Sequence, residues 1–199
     1  MQFQSVVLTG RVIRLEPLSE AHVPDLTLAG RDESVWRYML YGNIQTEAQM
    51  QAWVQDLLNR QARGTDLPFA VIHLESNCAV GATRYLEIRP PDRALEIGGT
   101  WYAPAFQRTA VNTESKFLLL KYAFEVLSCV RVQFKTDLRN ARSQRAIERL
   151  GAVREGVLRQ HMITPEGHFR DSVFYSILNS EWPAVKLRLE DKLAQYLSE

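Results

Sequence analysis

Gly98-Gly-Thr-Trp-Tyr-Ala-Pro-Ala-Phe-Gln-Arg-Thr-Ala-Val-Asn-Thr-Glu-Ser-Lys116 is the stretch on which the reading of the fold turns. It begins as a strand: Ile97, Thr100, Trp101 and Tyr102 are the β-branched and aromatic types that suit a pleated, half-buried surface. Pro104 ends that strand, because proline cannot donate to a ladder. The polar loop Gln107-Arg-Thr-Ala-Val111 follows, and Asn112 or Thr113 then caps a long apolar helix predicted over roughly 112–128. A helix start carries unpaired N–H groups and partial positive charge, which makes it a seat for phosphate. The glycine pair 98–99 suits a bulge in the preceding strand.

Working outward, the flanks alternate between extended and helical texture. Val6–Leu15 reads as extended with a break at Gly10, and Ser19 caps a short helix. Residues 32–43 carry Trp36, Tyr38, Met39, Leu40 and Tyr41 and either enter the core or line a pocket. Thr46 caps a helix to about Ala62, with Met50, Trp53, Val54, Leu57 and Leu58 on one face and Gly64 as its stop. Three strands follow: Pro68–Glu75, Ala79–Ile88 and Leu95–Tyr102. Val130–Thr136 has the pattern of a buried strand. Asn140 opens a short helix that closes at Gly151. Val153–Ile163 and Phe169–Leu178 form a hairpin about Thr164-Pro-Glu-Gly, and a last helix runs from Ser180 to Leu197. The expected fold is a mixed α/β sheet, mostly antiparallel, with helices on both faces and one domain over 1–199 (core about 10–178).

Composition narrows the function. The hydrophobic fraction is 46% and the net charge +1, so nothing draws the whole chain to nucleic acid or to an anionic membrane. Residues 131–159 nevertheless hold eight Arg/Lys against three Asp/Glu, a local excess of five that suits a polyanionic ligand or a solvated helix face. Cys78 and Cys129 lack metal-ligand spacing and read as small core residues in a reducing compartment. No metal site is expected. Met1–Leu8 lacks the basic start and apolar run of a secretory signal, and no stretch approaches the ~20 apolar residues of a membrane span. A cytoplasmic location without a membrane partner is the expectation.

Several blocks together resemble the GNAT superfamily of acetyl-CoA-dependent N-acetyltransferases, and within it the RimJ/RimL branch that acetylates ribosomal-protein N-termini. They are Gly10-Arg-Val-Ile-Arg-Leu-Glu-Pro-Leu18, Glu96-Ile-Gly-Gly-Thr-Trp-Tyr102, Asn112-Thr-Glu-Ser-Lys116, Asn140-Ala-Arg-Ser-Gln-Arg-Ala-Ile-Glu-Arg-Leu-Gly-Ala-Val-Arg-Glu-Gly156 and Gly167-His-Phe-Arg-Asp171. The resemblance implies a sheet with a splayed strand pair and acetyl-CoA as cofactor. The backbone of Gln107, Arg108, Thr109, Ala110, Val111 and Asn112 would hold the pyrophosphate, and Asn140 the pantetheine arm. Arg145 or Arg149 would meet the nucleotide phosphates. The strand ending at Trp101 would turn a backbone N–H toward the thioester oxygen. Ser143 would be the general acid. Glu96, and less so Glu155, are candidate bases.

Two positions depart from the family pattern. The loop usually reads Gln/Arg-x-x-Gly-x-Gly/Ala, and Ala110 stands at its first glycine, which requires that position to be helical. Met162 stands where some members carry a catalytic Glu. The implied activity is acetyl transfer to a primary amine, on a protein N-terminus or a small molecule, with a homodimer left open. The alternative is a non-catalytic module that binds or senses CoA. A nucleotide-binding domain of another type is disfavoured by the lack of Gly-x-Gly-x-x-Gly and of Gly-Lys-Ser/Thr.

Overall fold

The computed structural model describes residues 5–198; the first four residues of the Met1–Leu8 segment lie outside them. The strands are β1 (Leu8–Thr9), β2 (Ile13–Pro17), β3 (Leu67–His73), β4 (Cys78–Arg89), β5 (Ala94–Tyr102), β6 (Arg131–Asp137), β7 (Val153–Ile163) and β8 (Phe169–Leu178). They make one sheet in the order β1-β2-β3-β4-β5-β6-β8-β7. Each neighbouring pair is antiparallel except β5 and β6, which run parallel. The helices are α1 (Val23–Ala29), α2 (Glu47–Ala62), α3 (Ala110–Lys121), α4 (Ala141–Leu150) and α5 (Trp182–Ser198). The expected mixed, mostly antiparallel sheet with helices on both faces is therefore present.

Alternation along the strands divides the core in two. Leu95, Ile97, Val132, Phe134, Val173, Tyr175 and Ile177 face a cluster shared with Leu119 and Leu120 of α3, Ile147 of α4, and Val185 and Leu189 of α5. On the other face, Ala70, Ile72, Ala82 and Trp101 pack against Leu26 of α1 and Met50, Trp53 and Leu57 of α2. These two helices cover the β2–β5 half. Over β6 and β8 the same face carries Gln133, Lys135, Ser172 and Phe174, and this uncovered half becomes the floor of the cleft described below.

Local punctuation behaves as its chemistry dictates. Thr46 and Gln49 form a reciprocal capping box. Gly151 closes α4 in the left-handed region at φ 100°. Three expectations need correction. The cap of α3 is Thr109, whose hydroxyl accepts from Val111 N (3.3 Å) and donates to Phe106 O (2.8 Å), so the helix starts two residues before Asn112. Its C-terminal end, Tyr122–Val126, widens to a π-helical turn, with Leu127 N bonded to Tyr122 O. Cys78 is exposed at the start of β4, and only Cys129 packs as a core residue.

One polar anchor fixes the front of the chain to α3. The buried carboxylate of Glu114 accepts from the N–H groups of Arg11, Val12 and Ile13, each at 2.8 Å. It fills the space above Gly10, where a Cβ would come within 2.3 Å of its carboxyl carbon. Gly10 is thus required for contact rather than for an unusual backbone angle. Hydrogen bonds to a charged group are each worth about 1.5–3 kcal/mol, and a buried donor left alone costs a comparable amount. Glu114→Ala should lower the unfolding free energy by about 3 kcal/mol in a denaturant titration, whereas a loss below ~1 kcal/mol would show that the three amides find water instead.

Candidate functional site: a parted strand pair and its cleft

β5 and β6 pair over Ala94–Arg131, Leu95–Val132 and Glu96–Gln133 only. Beyond that point they diverge, and the β6-facing backbone groups of Gly98–Trp101 have no strand beside them. On its other edge, β5 stays joined to β4, but Ala82 pairs with Trp101 and Arg84 with Gly98. Gly99 and Thr100 therefore stand opposite Thr83 alone, which is a β-bulge, with Gly99 at φ 58°. A side chain at 99 would meet Arg84 Nε at 3.0 Å and the Tyr41 hydroxyl at 3.1 Å, so glycine is required here both by backbone angle and by space.

After Tyr102, the chain turns through Pro104–Phe106 into the start of α3. Gln107 is employed structurally: its N–H reaches Pro104 O (3.1 Å), its side-chain amide donates to Tyr102 O (2.9 Å), and its side-chain oxygen accepts from Arg142 (2.6 Å). The amides available to an anion therefore begin at Arg108. Arg108 takes the left-handed backbone at φ 65° and redirects the chain into the helix. A non-glycine residue in that region costs about 1–2 kcal/mol. Ala110 is the first helical residue, so the glycine-poor loop needs no glycine there.

At the head of α4, the Asn140 side-chain oxygen accepts from Ser143 N (3.0 Å) and caps the helix, leaving its amide nitrogen for a ligand. Ser143 is half-buried, and among the described residues no side-chain hydrogen bond is recorded for its hydroxyl. Arg142 joins this helix head to the α3 loop through Gln107. Further along, a shallow groove is lined by Asn112 and Thr113 of α3, Ala146 and Arg149 of α4, and Leu189 and Lys192 of α5. Arg145 and Arg149 are exposed. The basic excess of 131–159 is partly consumed by ion pairs: Arg131 with Glu155, Lys135 with Glu96, and Arg139 with Asp137.

At the apex of the parted strands, a cleft of about 180 Å³ is lined by Glu87, Glu96, Gln133, Lys135, His161 and Phe174, among others. Glu96 is 2% exposed and accepts from Gln133 Nε2 (2.8 Å), with Lys135 Nζ at 3.5 Å. Burial raises its pKa above the usual carboxylate value, against the pull of Lys135 and Gln133. His161 shares its Nδ1 with Ser172 Oγ (3.1 Å), and burial with the charges of Lys135 and Arg170 lowers its pKa. By contrast, Glu155 is held by Arg131 and Ser176, which lowers its pKa and leaves it a weak base. Trp101 contributes only backbone to the site; its indole packs against Trp36 and Trp53.

Under the bulge lies Lys116 of α3, 6% exposed. Its Nζ donates to Thr100 Oγ1 (2.5 Å) and Thr83 Oγ1 (3.3 Å), and the two hydroxyls are 2.8 Å apart. Burial depresses its pKa to about 7.

Residues 13–153 match the family model described as an acetyltransferase (GNAT) domain, well over half of the chain. The chain belongs to the GNAT acetyltransferase family. A GCN5-related N-acetyltransferase from Brucella melitensis superposes with a TM-score of 0.90 at 32% identity, covering 96% of this chain and 86% of that one. Among curated proteins, a provisionally named ribosomal N-acetyltransferase of Bacillus subtilis (strain 168), YdaF, is 25% identical over 173 residues, 86% of this chain and 92% of its own. The ribosomal L7/L12 α-N-protein acetyltransferase RimL shares the fold, with a TM-score of 0.77 at 19% identity, covering 88% of this chain and 96% of that one.

In this GNAT acetyltransferase, the loop from the parted β5 into α3 meets the head of α4 through the Gln107–Arg142 contact. Reading the sequence missed Gln133 and Lys135, both on β6, and Lys192, which arrives from α5; His161 joins the cleft from β7. The uncapped amides at the start of α3 and the unpaired edge of β5 beyond Glu96 fit a pyrophosphate-bearing thioester such as acetyl-CoA.

Lys116 makes the linkage between protonation and folding measurable. Between about pH 7 and pH 9 the unfolded chain binds a proton here that the folded chain does not, so stability rises with pH. Higher still, the raised thiol of Cys129 opposes it. Denaturant titrations should show that rise in the parent protein and its loss in Lys116→Met; equal slopes would mean that Lys116 is charged in the fold.

Proposed function

We propose that this chain carries an acetyl group from acetyl-CoA to a primary amine by direct attack of the amine on the thioester. The observation that carries this reading is the coincidence of three features at one place. They are the unpaired edge of Gly98–Trp101, the anion-binding start of α3, and a cleft with a buried carboxylate at the apex between β5 and β6.

Each residue then has a distinct task. The N–H groups of Arg108, Thr109, Ala110 and Asn112 hold the pyrophosphate, that of Val111 being used by the Thr109 cap, and the helix dipole aids them. The Asn140 amide orients the pantetheine arm. Arg149, with Arg145 and Lys192, faces the nucleotide phosphates. Bound acetyl-CoA supplies an activated acetyl thioester. The amides of the bulge donate to its oxygen, a contact that gains strength where water is excluded. An α-amino group has a pKa near 8 and a lysine near 10.4, so the amine arrives protonated. Glu96, made more basic by burial, draws the ammonium in and takes its proton, with His161 beside it in the cleft. Ser143 gives a proton to the departing sulfur and recovers one, through solvent, from the second N–H that the nitrogen loses as the amide forms.

The acceptor is a protein N-terminus or a small amine. The names of YdaF and RimL support a ribosomal-protein N-terminus, and with it a cytoplasmic setting. Among the described residues, no helix is long and apolar enough to cross a membrane. A thiol-release assay with acetyl-CoA and a panel of amines and N-terminal peptides should show turnover. Glu96→Gln should lower kcat by about 10²–10⁴ while CoA affinity stays within twofold. CoA binding without release of thiol for any acceptor would instead favour a non-catalytic sensor.

A further inference from the structure

A lysine buried beside two hydroxyls, with no carboxylate among its recorded side-chain partners, is an expensive arrangement. Desolvating an ammonium costs several kcal/mol, and hydroxyls repay only part of it. A methionine would fill the same volume without that cost. Nothing in core packing calls for the amine, so its position is informative.

That position is a junction. Thr83 lies on β4 directly opposite the extra residue of the β5 bulge, and Thr100 is within the bulge itself. Lys116 is six residues beyond the first residue of α3, on the helix whose opening turn offers free amides. Its Nζ thus joins three elements: both strands at the bulge and the helix behind them. A β-bulge is locally soft because its extra residue lacks a ladder partner. β6 no longer pairs with β5 at Thr100, and the β4 ladder skips it.

We propose that Lys116 is a positioning residue for acetyl transfer: by clamping Thr83 and Thr100, it fixes the Gly99 bulge against α3. This sets the separation between the amides of the splayed strand and the anion seat at the helix start. The inference rests on the acetyl-transfer reading for its catalytic consequence, but the clamp itself can be tested without cofactor. A positioning error of about 1 Å can cost ~10²-fold in rate, so loss of the clamp should act on turnover rather than on binding.

The experiment compares the parent protein with Lys116→Met, Thr100→Val, Thr100→Ser and the Lys116→Met/Thr100→Val double variant. In protein without CoA, amide hydrogen exchange at Gly99–Trp101 should speed up at least about tenfold in Lys116→Met and in Thr100→Val. It should be unchanged over β6 and in Thr100→Ser, which keeps the hydroxyl. With acetyl-CoA and an active amine, kcat should fall at least tenfold while KM for acetyl-CoA stays within twofold, and the double variant should be no worse than either single one. Unchanged exchange at Gly99–Trp101, or a Lys116→Met kcat within twofold of the parent, would overturn the proposal. If the parent transfers no acetyl group to any amine, the functional reading fails, and the exchange data still decide whether the clamp exists.

Discussion

Everything at the site depends on two parallel strands that pair for three residues and then separate. A sheet does not normally leave backbone groups unpaired in its middle, because a buried N–H or C=O without a partner costs about as much as a lost hydrogen bond. Here β5 leaves β6 after Glu96–Gln133, and both strands find support on their other edges, β5 from β4 and β6 from β8. The result is a wedge in the sheet lined by polar backbone. A ligand that offers amides and carbonyls along its length can complete the ladder there, which is what a pantetheine arm can do.

α3 makes that wedge affordable. A helix over a sheet usually buries an apolar stripe, yet the first turns of α3 bury Thr113, Glu114, Ser115 and Lys116. Three of these polar groups have identified partners in the fold. Glu114 collects three amides from the turn between β1 and β2, Ser115 bonds to Val111 O, and Lys116 reaches the bulge. The apolar contribution comes later in the helix, from Leu119 and Leu120, with the Tyr85 hydroxyl bonded to Leu119 O. The N-terminal end of α3 is therefore fixed to the sheet by polar contacts, and its far end by burial.

Much of the fold was legible because its signals are local. The caps at Thr46 and Asn140, the left-handed Gly151, the hairpin about Thr164–Gly167 and the glycine bulge each follow from a few neighbouring residues. The start of α3 was misread for an equally physical reason. Asn112 and Thr113 are good capping types, but the hydroxyl of Thr109 is anchored to Phe106 O and claims the cap first. The glycine-poor loop, a difficulty on paper, resolves because the left-handed angle falls on Arg108 instead of Ala110. What stayed hidden depends on distant pairing. Glu114 meets amides about a hundred residues away, Lys116 meets Thr83, and His161 reaches Ser172 only through the β7–β8 register. No periodicity or spacing announces such contacts.

On the acetyl-transfer reading, one cofactor bridges the start of α3 and the free edge of β5. Titrating CoA into isotope-labelled protein and following backbone amide resonances tests this directly. Saturable shifts concentrated at Gly98–Trp101, Arg108–Asn112 and Asn140–Ser143, with β1–β3 unmoved, are the expected result. Saturable shifts that leave Gly98–Trp101 and Arg108–Asn112 unperturbed, or no binding at millimolar CoA, would contradict it.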